Sequence, residues 1–388
     1  MLLIGLVGVP NCGKSTMLKA LTLANVQIAD YPFTTIEPNQ AVGYVLKDCP
    51  CKRLGVRCSP QDSKCADGRR WIPVRLLDVA GLVEGAHEGR GLGNKFLDDL
   101  RQATGLIHVL DCSGLTDAEG KPRTLGNLWD PEASIRVLET EVDEWLSDII
   151  SKNSEKVENL ARLKKIPVER LLAEKLSGLG MTEDDIKRAA QKAGIGTREF
   201  ATILRRESKP IVIAANKMDV PSSEANLRRL KEDHEDIFPV SAESELALRE
   251  AAERGLIEYV PGASDFRIVS KDLSEKQRKA LEFIRENVLR KYGSTGIQQV
   301  LNKAVFEMLQ MIVVYPVENE GKFTDKNGNV LPDAILVPKG TTARNFAGEI
   351  HTDFKDKFLA AIDARTSRRI SADQELKDGD IVKIVLQK

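Results

Sequence analysis

Residues 8–15 read GVPNCGKS and fit the pattern G-x-x-x-x-G-K-[ST]. An apolar run at residues 2–7 precedes them, and residues 15–22 carry apolar side chains at helical spacing. This order predicts a strand, a loop and a helix, in which the glycines let backbone N–H groups face phosphates at the positive helix end. Lys14 would add a charge near the β- and γ-phosphates, and Ser15 would supply a hydroxyl to Mg²⁺. The stretch therefore predicts a phosphate-binding P-loop, which kinases, ATPases and GTPases share.

The rest of the chain predicts an α/β fold with further domains. Apolar runs at residues 71–77, 105–110 and 210–215 are typical of buried strands with helices between them, so we expect a largely parallel, doubly wound sheet. Charged amphipathic helices fill residues 127–206, and short strands return after residue 311. We predict a nucleotide domain at 1–126 and 207–270, a helical insertion at 127–206, a helical linker at 271–310 and a small α+β domain at 311–388.

Composition sets limits on partners and location. The chain has 388 residues, 30% of them charged, and a net charge of -1, which argues against nonspecific nucleic-acid binding by the whole chain. No apolar run approaches the roughly 18 residues of a membrane span, so we expect a cytoplasmic protein with no membrane contact, and a monomer. The insertion, with its mixed charges, is most simply a solvated surface element that could also hold a partner.

Four of the six cysteines lie in one polar stretch, Cys49, Cys51, Cys58 and Cys65, with the pattern C-x-C-x₆-C-x₆-C. In a cytosolic chain such a group is more often reduced or metal-bound than disulfide-bonded. The spacing is not that of a standard C-x₂-C pair. The cluster therefore predicts either a zinc site or four free thiols.

A second motif, Asp78-Val79-Ala80-Gly81, ends the apolar run at 71–77. Asp78 could hold Mg²⁺ through water, and the Gly81 N–H could reach the γ-phosphate. Between the two motifs, Thr35, which we favour over Thr34, could complete the magnesium shell when triphosphate is bound. We thus predict Lys14, Thr35 and Gly81 as catalytic residues and Ser15, Thr35 and Asp78 as magnesium ligands.

Two later motifs fit recognition of a guanine base. Asn216-Lys217-Met218-Asp219 and Ser241-Ala242-Glu243 each follow an apolar run. The Asp219 carboxylate can accept from guanine N1–H and N2–H₂, the Ala242 N–H can donate to O6, and the Lys217 stem can cover the ring. The predicted nucleotide-binding residues are Gly8, Pro10, Asn11, Cys12, Gly13, Lys14, Ser15, Thr16, Asp78, Gly81, Asn216, Lys217, Asp219, Ser241, Ala242 and Glu243.

With residues 8–16, 31–39 and the glycine-rich stretch 78–93, the sequence resembles the Obg superfamily of translation-factor-related GTPases, in particular its YchF-like branch. The tail from about residue 311 resembles a TGS domain, a ubiquitin-like β-grasp module. The resemblance implies Mg²⁺-dependent hydrolysis of GTP to GDP, and a ribosome or RNA partner held through the TGS domain and the insertion. Many YchF-like proteins resemble ATP users with a modified base motif, whereas residues 216–219 here are unmodified.

Catalysis is the least defined part of the sequence. Leu82 stands where many GTPases have a water-orienting Gln, which predicts slow hydrolysis. His87 and His108 could position the water, or be a solvated loop residue and a core histidine. Asn11 could hold K⁺ beside the phosphates, as its counterpart does in related GTPases, or only form a turn. Two rival hypotheses are a P-loop ATPase and a binding module that nucleotide orders without meaningful turnover.

Overall fold

The computed structural model describes residues 2–22, 39–61, 63–79, 81, 85 and 93–387. Four residues with predicted roles, Thr34, Thr35, Leu82 and His87, lie outside this part of the chain. The chain divides into two compact units, one of Met1–Leu23, Glu37–Ala41 and Arg75–Ala304 and one of Ala24–Ile36, Val42–Val74 and Val305–Lys388. Within the described ranges, no helix combines the length and the apolar character that a bilayer crossing requires.

A seven-stranded sheet with a parallel centre builds the nucleotide domain. Its strands are β1 (Leu3–Val7), β2 (Gln40–Asp48), β3 (Lys64–Ala66), β4 (Arg69–Asp78), β5 (Gly105–Asp111), β6 (Ile211–Asn216) and β7 (Ile237–Pro239). The order is β2-β4-β1-β5-β6-β7, with β3 antiparallel to β4. Strands β4, β1, β5, β6 and β7 are parallel. All seven residues of β5 are buried, as expected of a central strand covered on both faces.

The remaining helices before residue 309 and two short strands lie mostly in the first unit. Before the insertion lie α1 (Lys14–Thr22), α2 (Cys51–Leu54, in the second unit) and α3 (Gly93–Gln102). The insertion holds α4 (Pro131–Lys164), α5 (Val168–Leu176), α6 (Glu183–Ala190) and α7 (Arg198–Ser208). After it come α8 (Ser223–Asp233), α9 (Ala242–Glu253), β8 (Ile257–Glu258), β9 (Arg267–Ile268), α10 (Glu275–Ile284), α11 (Arg290–Tyr292) and α12 (Ile297–Asn302). Two π-helical turns extend α10 and α12, at Arg285–Leu289 and Lys303–Met308.

The helical insertion shares a hydrophobic core with the sheet. Its long helix α4 begins at the capping residue Asp130, and buried side chains such as Leu138 and Phe200 belong to one cluster with Leu3 of β1. Arg205 of α7, also buried, donates from Nε to Asp143 of α4 at 2.5 Å. The expectation of a solvated surface element is therefore wrong for the inner faces, because the outward charges conceal a continuous apolar side.

The tail of the second unit is a small α+β domain. It contains β10 (Met311–Pro316), β11 (Ile335–Pro338), α13 (Ala343–Ile350), α14 (Thr352–Asp356), β12 (Phe358–Asp363), β13 (Arg368–Ile370) and β14 (Asp380–Leu386). The strand order is β11-β10-β14-β12-β13, in which only β10 and β14 are parallel. Phe346 of α13 is buried in a core with Val314 and Val382. The predicted fold class, a P-loop α/β domain with a helical insertion and a C-terminal β-grasp domain, is confirmed.

Candidate functional site

The phosphate-binding loop joins β1 to α1, and two of its glycines are required by close contacts. A Cβ atom on Gly8 would lie 2.3 Å from the carbonyl oxygen of Val109. Gly13 has φ +102°, and a Cβ there would lie 2.2 Å from Nδ2 of Asn216. Neither position admits a side chain, because such atoms cannot approach closer than about 3 Å without displacement. The loop is thus fitted between β5 and the end of β6.

Lys14 and Ser15 open helix α1 at the end of this loop. The Lys14 ammonium crosses its own loop and donates to the carbonyl oxygens of Gly8 at 2.7 Å and Val9 at 3.1 Å. Ser15 is exposed, and the neighbouring Thr16 is half-buried. The ammonium and an accessible hydroxyl therefore sit at a helix N-terminus, where the positive end of the helix dipole stabilises a phosphate group.

Asp78 lies at the carboxyl end of β4, paired in register with Leu6 of β1. Its Oδ1 atom is buried and has no hydrogen-bond partner in the described part of the chain. Burial raises the pKa of this carboxyl group, and the positive charge of Lys14 acts in the opposite direction. Such an oxygen fits a water molecule bound to a hard cation such as Mg²⁺.

Gly81 follows at the same edge of the sheet. A Cβ on Gly81 would lie 3.6 Å from Cγ of Pro10, so this glycine packs beside the phosphate-binding loop. The structure therefore brings Lys14, Ser15, Asp78 and Gly81 to one region. Thr35, the remaining predicted magnesium ligand, falls on the part of the chain that is not described.

Asn216 connects the phosphate-binding loop to the base motifs. Its Nδ2 donates to the carbonyl oxygen of Cys12 at 2.9 Å, and its Oδ1 accepts from the Ala242 N–H at 3.0 Å. Cys12 itself is buried, and burial raises the pKa of its thiol. Both polar atoms of the Asn216 amide are thus used, and the side chain is 3% exposed. One buried amide fixes the distance between the two loops.

Asp219 and Lys217 are each held by hydrogen bonds to neighbouring side chains. Ser241 donates from its hydroxyl to Asp219 Oδ1 at 2.6 Å. The Lys217 ammonium donates to Asp111 Oδ2 at 2.9 Å and to the Thr116 hydroxyl at 3.2 Å. These bonds orient the carboxylate and the lysine stem, as a planar base ligand would require.

The Ala242 N–H does not point to a free position, because it donates to Asn216. Its predicted donation to guanine O6 therefore requires this bond to be shared or exchanged when nucleotide binds. Glu243 follows it in the first turn of α9 and is itself exposed. Recognition of O6 stays a prediction.

Asn11 and His108 have distinct surroundings. Nδ2 of Asn11, a residue with φ +61°, donates to the carbonyl oxygen of Gly120 at 2.9 Å, which leaves the amide oxygen as the atom for a cation.

His108 is buried on β5, and burial lowers its pKa to about 3, so the ring is neutral at physiological pH. Its Nε2 has no hydrogen-bond partner among the residues the structure describes.

Several residues of the site were not found from the sequence. Asp111 orients Lys217, and its place at the end of a buried strand is the same signal that identified Asp78. Glu141 of α4 accepts a hydrogen bond at 2.7 Å from the N–H of Gly85, in the glycine-rich stretch after Asp78. Nothing in the local sequence around Glu141 indicates this contact, because the two residues are 56 positions apart.

The four clustered cysteines converge in the second unit. Cys49 follows β2, Cys51 begins α2, Cys58 lies in the following coil, and Cys65 is the middle residue of β3. Their four Sγ atoms all lie within 4.8 Å of one another. Residues 49–68, between β2 and β4, form a polar excursion from the sheet. This excursion brings together cysteines that are up to 16 positions apart in the sequence, from Cys49 to Cys65.

Comparisons with known proteins agree with these observations. Family profiles described as "50S ribosome-binding GTPase", "Obg-like GTPase YGR210-like, G4 motif-containing domain" and "TGS domain" match residues 3–165, 214–319 and 323–386. An uncharacterized GTP-binding protein of Methanocaldococcus jannaschii is 50% identical over 396 residues, with 99% of each chain covered. The ribosome-binding ATPase YchF of Escherichia coli O157:H7 is 29% identical, with 92% of this chain and 86% of YchF covered.

A solved structure extends the likeness to three dimensions. The crystal structure of a GTP-binding protein from Pyrococcus horikoshii OT3 superimposes with a TM-score of 0.78, at 41% identity and with 100% of both chains covered. The order of the motifs, the strand topology and the identity over the whole length lead to one assignment. The chain belongs to the Obg-like family of GTP-binding proteins, in its YchF-like branch with a C-terminal TGS domain.

Proposed function

We propose that the protein binds GTP with Mg²⁺ and hydrolyses it to GDP and phosphate, as a switch with slow intrinsic turnover. One observation carries the proposal: the Asn216 side chain bonds both the phosphate-binding loop, at Cys12, and the base loop, at Ala242. The two halves of a nucleotide site are thereby held at a fixed separation. A phosphate loop alone would suit any nucleoside triphosphate. The bonds of Asn216 support the proposal because the motif at residues 216–219, which we propose reads guanine, is joined to that loop.

Each residue has a distinct part in the proposed reaction. Lys14 exchanges its bonds to Gly8 and Val9 for the β- and γ-phosphate oxygens, where charge develops during transfer. Ser15, Asp78 and Thr35 would hold Mg²⁺, which would supply positive charge to offset the negative charge of the phosphates. The Gly81 N–H is proposed to donate to the γ-phosphate. His108 is a candidate for orienting water only as a neutral ring.

Potassium is proposed as a second cation. Because Asn11 donates from Nδ2 to Gly120, its amide oxygen is oriented by a contact 109 positions away rather than by the turn alone. An ion at that oxygen would supply positive charge beside the β- and γ-phosphates. This charge would compensate in part for Leu82, which cannot orient water.

The ribosome is the proposed partner. The TGS profile matches the tail, and the E. coli relative carries the name ribosome-binding ATPase. The chain as a whole has a net charge of -1, so contact with ribosomal RNA would depend on shape and local groups rather than on a general basic surface. We propose that the triphosphate state favours this contact and the diphosphate state releases it.

The alternative of ATP as substrate has one specific observation in its favour. The backbone donor that would read guanine O6 is occupied by Asn216, and a relative of this chain is named an ATPase. If that bond persists with nucleotide bound, O6 gains no donor there. A module that binds nucleotide without turnover is the second alternative, for which Leu82 is the reason.

The first prediction concerns the phosphate site. Lys14→Ala and Ser15→Ala should each weaken Mg²⁺–GTP binding by at least about tenfold, because a hydrogen bond to a charged group contributes about 1.5–3 kcal/mol. Titration with a fluorescent GTP analogue measures this. Lys19→Ala on the same helix is the control, since the exposed Lys19 ammonium forms an ion pair with Glu250 of α9 at 2.8 Å. Thermal melting shows whether the variants are folded. Equal GTP affinity in wild type and both folded variants would contradict the assignment of the phosphate site.

The second prediction concerns the base. GTP should outcompete ATP by about 10⁴ or more, because adenine N1 would face the Asp219 carboxylate as an acceptor and adenine lacks the N2 amine. If the Ala242 N–H exchanges its bond to Asn216 for the base, the N6 amine of adenine would also face it as a donor. Asp219→Asn should weaken guanine binding and shift preference toward xanthine, whose C2 oxygen accepts. Asp233→Asn on the exposed end of α8 is the matched control. Competition titration decides, and comparable wild-type affinities for ATP and GTP would establish the ATPase alternative.

The third prediction concerns cations. Hydrolysis should be slow and at least about tenfold faster in K⁺ than in Na⁺ at equal ionic strength, since one stabilising contact in the transition state changes rates by such factors. Asn11→Ala should remove the difference between the two salts. Single-turnover phosphate release provides the rates. If the wild-type rate is the same in both salts, Asn11 does not hold K⁺ and only forms a turn.

The fourth prediction concerns the ribosome. Binding to ribosomes from the source organism should be at least about tenfold tighter with a non-hydrolysable GTP analogue than with GDP, a coupling of about 1.4 kcal/mol. Sedimentation through sucrose measures the bound fraction. Lys14→Ala should show no response to the analogue. Equal sedimentation of the wild type in both nucleotide states would refute the proposed switch, whatever its hydrolysis rate.

A further inference from the structure

The distances among the four cysteine sulfurs suit one metal ion. Cys51 Sγ and Cys65 Sγ are 3.9 Å apart, and all four Sγ atoms lie within 4.8 Å of one another. A tetrahedral zinc site with Zn–S bonds of about 2.3 Å has S···S edges of about 3.8 Å. A disulfide requires about 2.05 Å, so the observed separation fits shared coordination and not a covalent pair.

The excursion that carries these cysteines has almost no apolar core. Of the described residues between 49 and 68, only Cys49, Pro50 and Cys51 are buried. Its helix α2 has four residues, of which Cys51 alone is buried. A segment of this size cannot bury enough apolar surface to offset its conformational entropy, and small folds of this kind are usually held by disulfides or a metal.

A buried cation beside the cluster provides a second, independent observation. Arg70 of β4 is 0% exposed, and it pairs in register with Cys65 of β3. Its Nη2 donates to the Pro332 carbonyl oxygen at 2.7 Å, whereas its Nε and Nη1 have no hydrogen-bond partner in the described ranges. A buried guanidinium is stabilised by a nearby anion. Four thiolates on one Zn²⁺ carry two net negative charges and would supply that anion.

The excursion is attached to the tail domain within the second unit. The N–H groups of Ser59 and Gln61 donate to the carbonyl oxygens of Val330 at 2.8 Å and Pro332 at 3.0 Å. These backbone contacts depend on the path of the coil after α2. Cys58 directly precedes Ser59, and Cys65 follows Gln61 by four positions, so coordination of both thiols would restrict the path of this coil.

We propose that Cys49, Cys51, Cys58 and Cys65 bind one structural zinc ion, and that this ion fixes the excursion in the conformation that contacts the tail domain. The site is closed, with four thiolates and no open position, which is the arrangement of structural rather than catalytic zinc. Cys58 and Cys65 are half-exposed, so the ion can enter from solvent.

Metal content tests the proposal directly. Full-length protein purified without chelator should contain about one zinc ion per chain by elemental analysis. The double variant Cys51→Ser, Cys65→Ser should contain none. Cys112→Ser is the matched control, because Cys112 is a buried thiol outside the cluster that donates to the Ser223 carbonyl oxygen. Wild type without metal, iron in place of zinc, or zinc retained by the double variant overturns the assignment.

Two measurements on the wild type remain decisive where the double variant fails to fold. Titration with an organomercurial should release zinc in proportion to about four thiols per ion. Hydrogen exchange at the amides of Ser59 and Gln61 should then become at least about tenfold faster, because the contacts to the tail loosen locally. Unchanged exchange after complete zinc release would refute the fixing role, and release with a single thiol would refute the four-ligand site.

Discussion

The nucleotide site depends on one buried amide. Asn216 donates to the Cys12 carbonyl and accepts from the Ala242 N–H, so one side chain with one donor and one acceptor joins two loops that are over 200 positions apart in sequence. An Asp or a Leu at this position would lose at least one of these bonds, at a cost of about 1–3 kcal/mol for the buried group left behind. Gly13 is required by the same contact, because any side chain there would overlap the amide.

The fold class was predictable because its signals are local. Short apolar runs separated by helical periodicity indicate a parallel sheet, and in such sheets the carboxyl ends of strands form the binding edge. Asp78 and Asn216 both end strands, and the structure places both there. The TGS-like tail was equally accessible, since its strands and turn are continuous in sequence. The amphipathic helices of the insertion were predicted as well, but the sequence did not show that their apolar faces join the core of the sheet.

What the sequence could not show is which distant groups share a hydrogen bond. Asn11 meets Gly120, and Lys217 meets Asp111, across more than a hundred residues each. No spacing rule encodes such pairs, because they result from how loops fold over the ends of strands. The contacts among the four clustered cysteines could not be predicted from the sequence either. Its pattern left zinc and free thiols open, and the approach of the sulfurs depends on a coil without any periodicity.

The contact of Glu141 with Gly85 connects the insertion to the glycine-rich stretch that follows Asp78. Glu141 is 3% exposed on α4, and a buried carboxylate is stable only with hydrogen-bond donors around it. The Gly85 N–H is one such donor, at 2.7 Å, and φ +82° at this residue favours glycine. Moving residue 85 would remove this bond at a cost of about 1–3 kcal/mol, the size of a typical coupling energy between two sites. Helix α4 therefore stabilises this position of Gly85 over others.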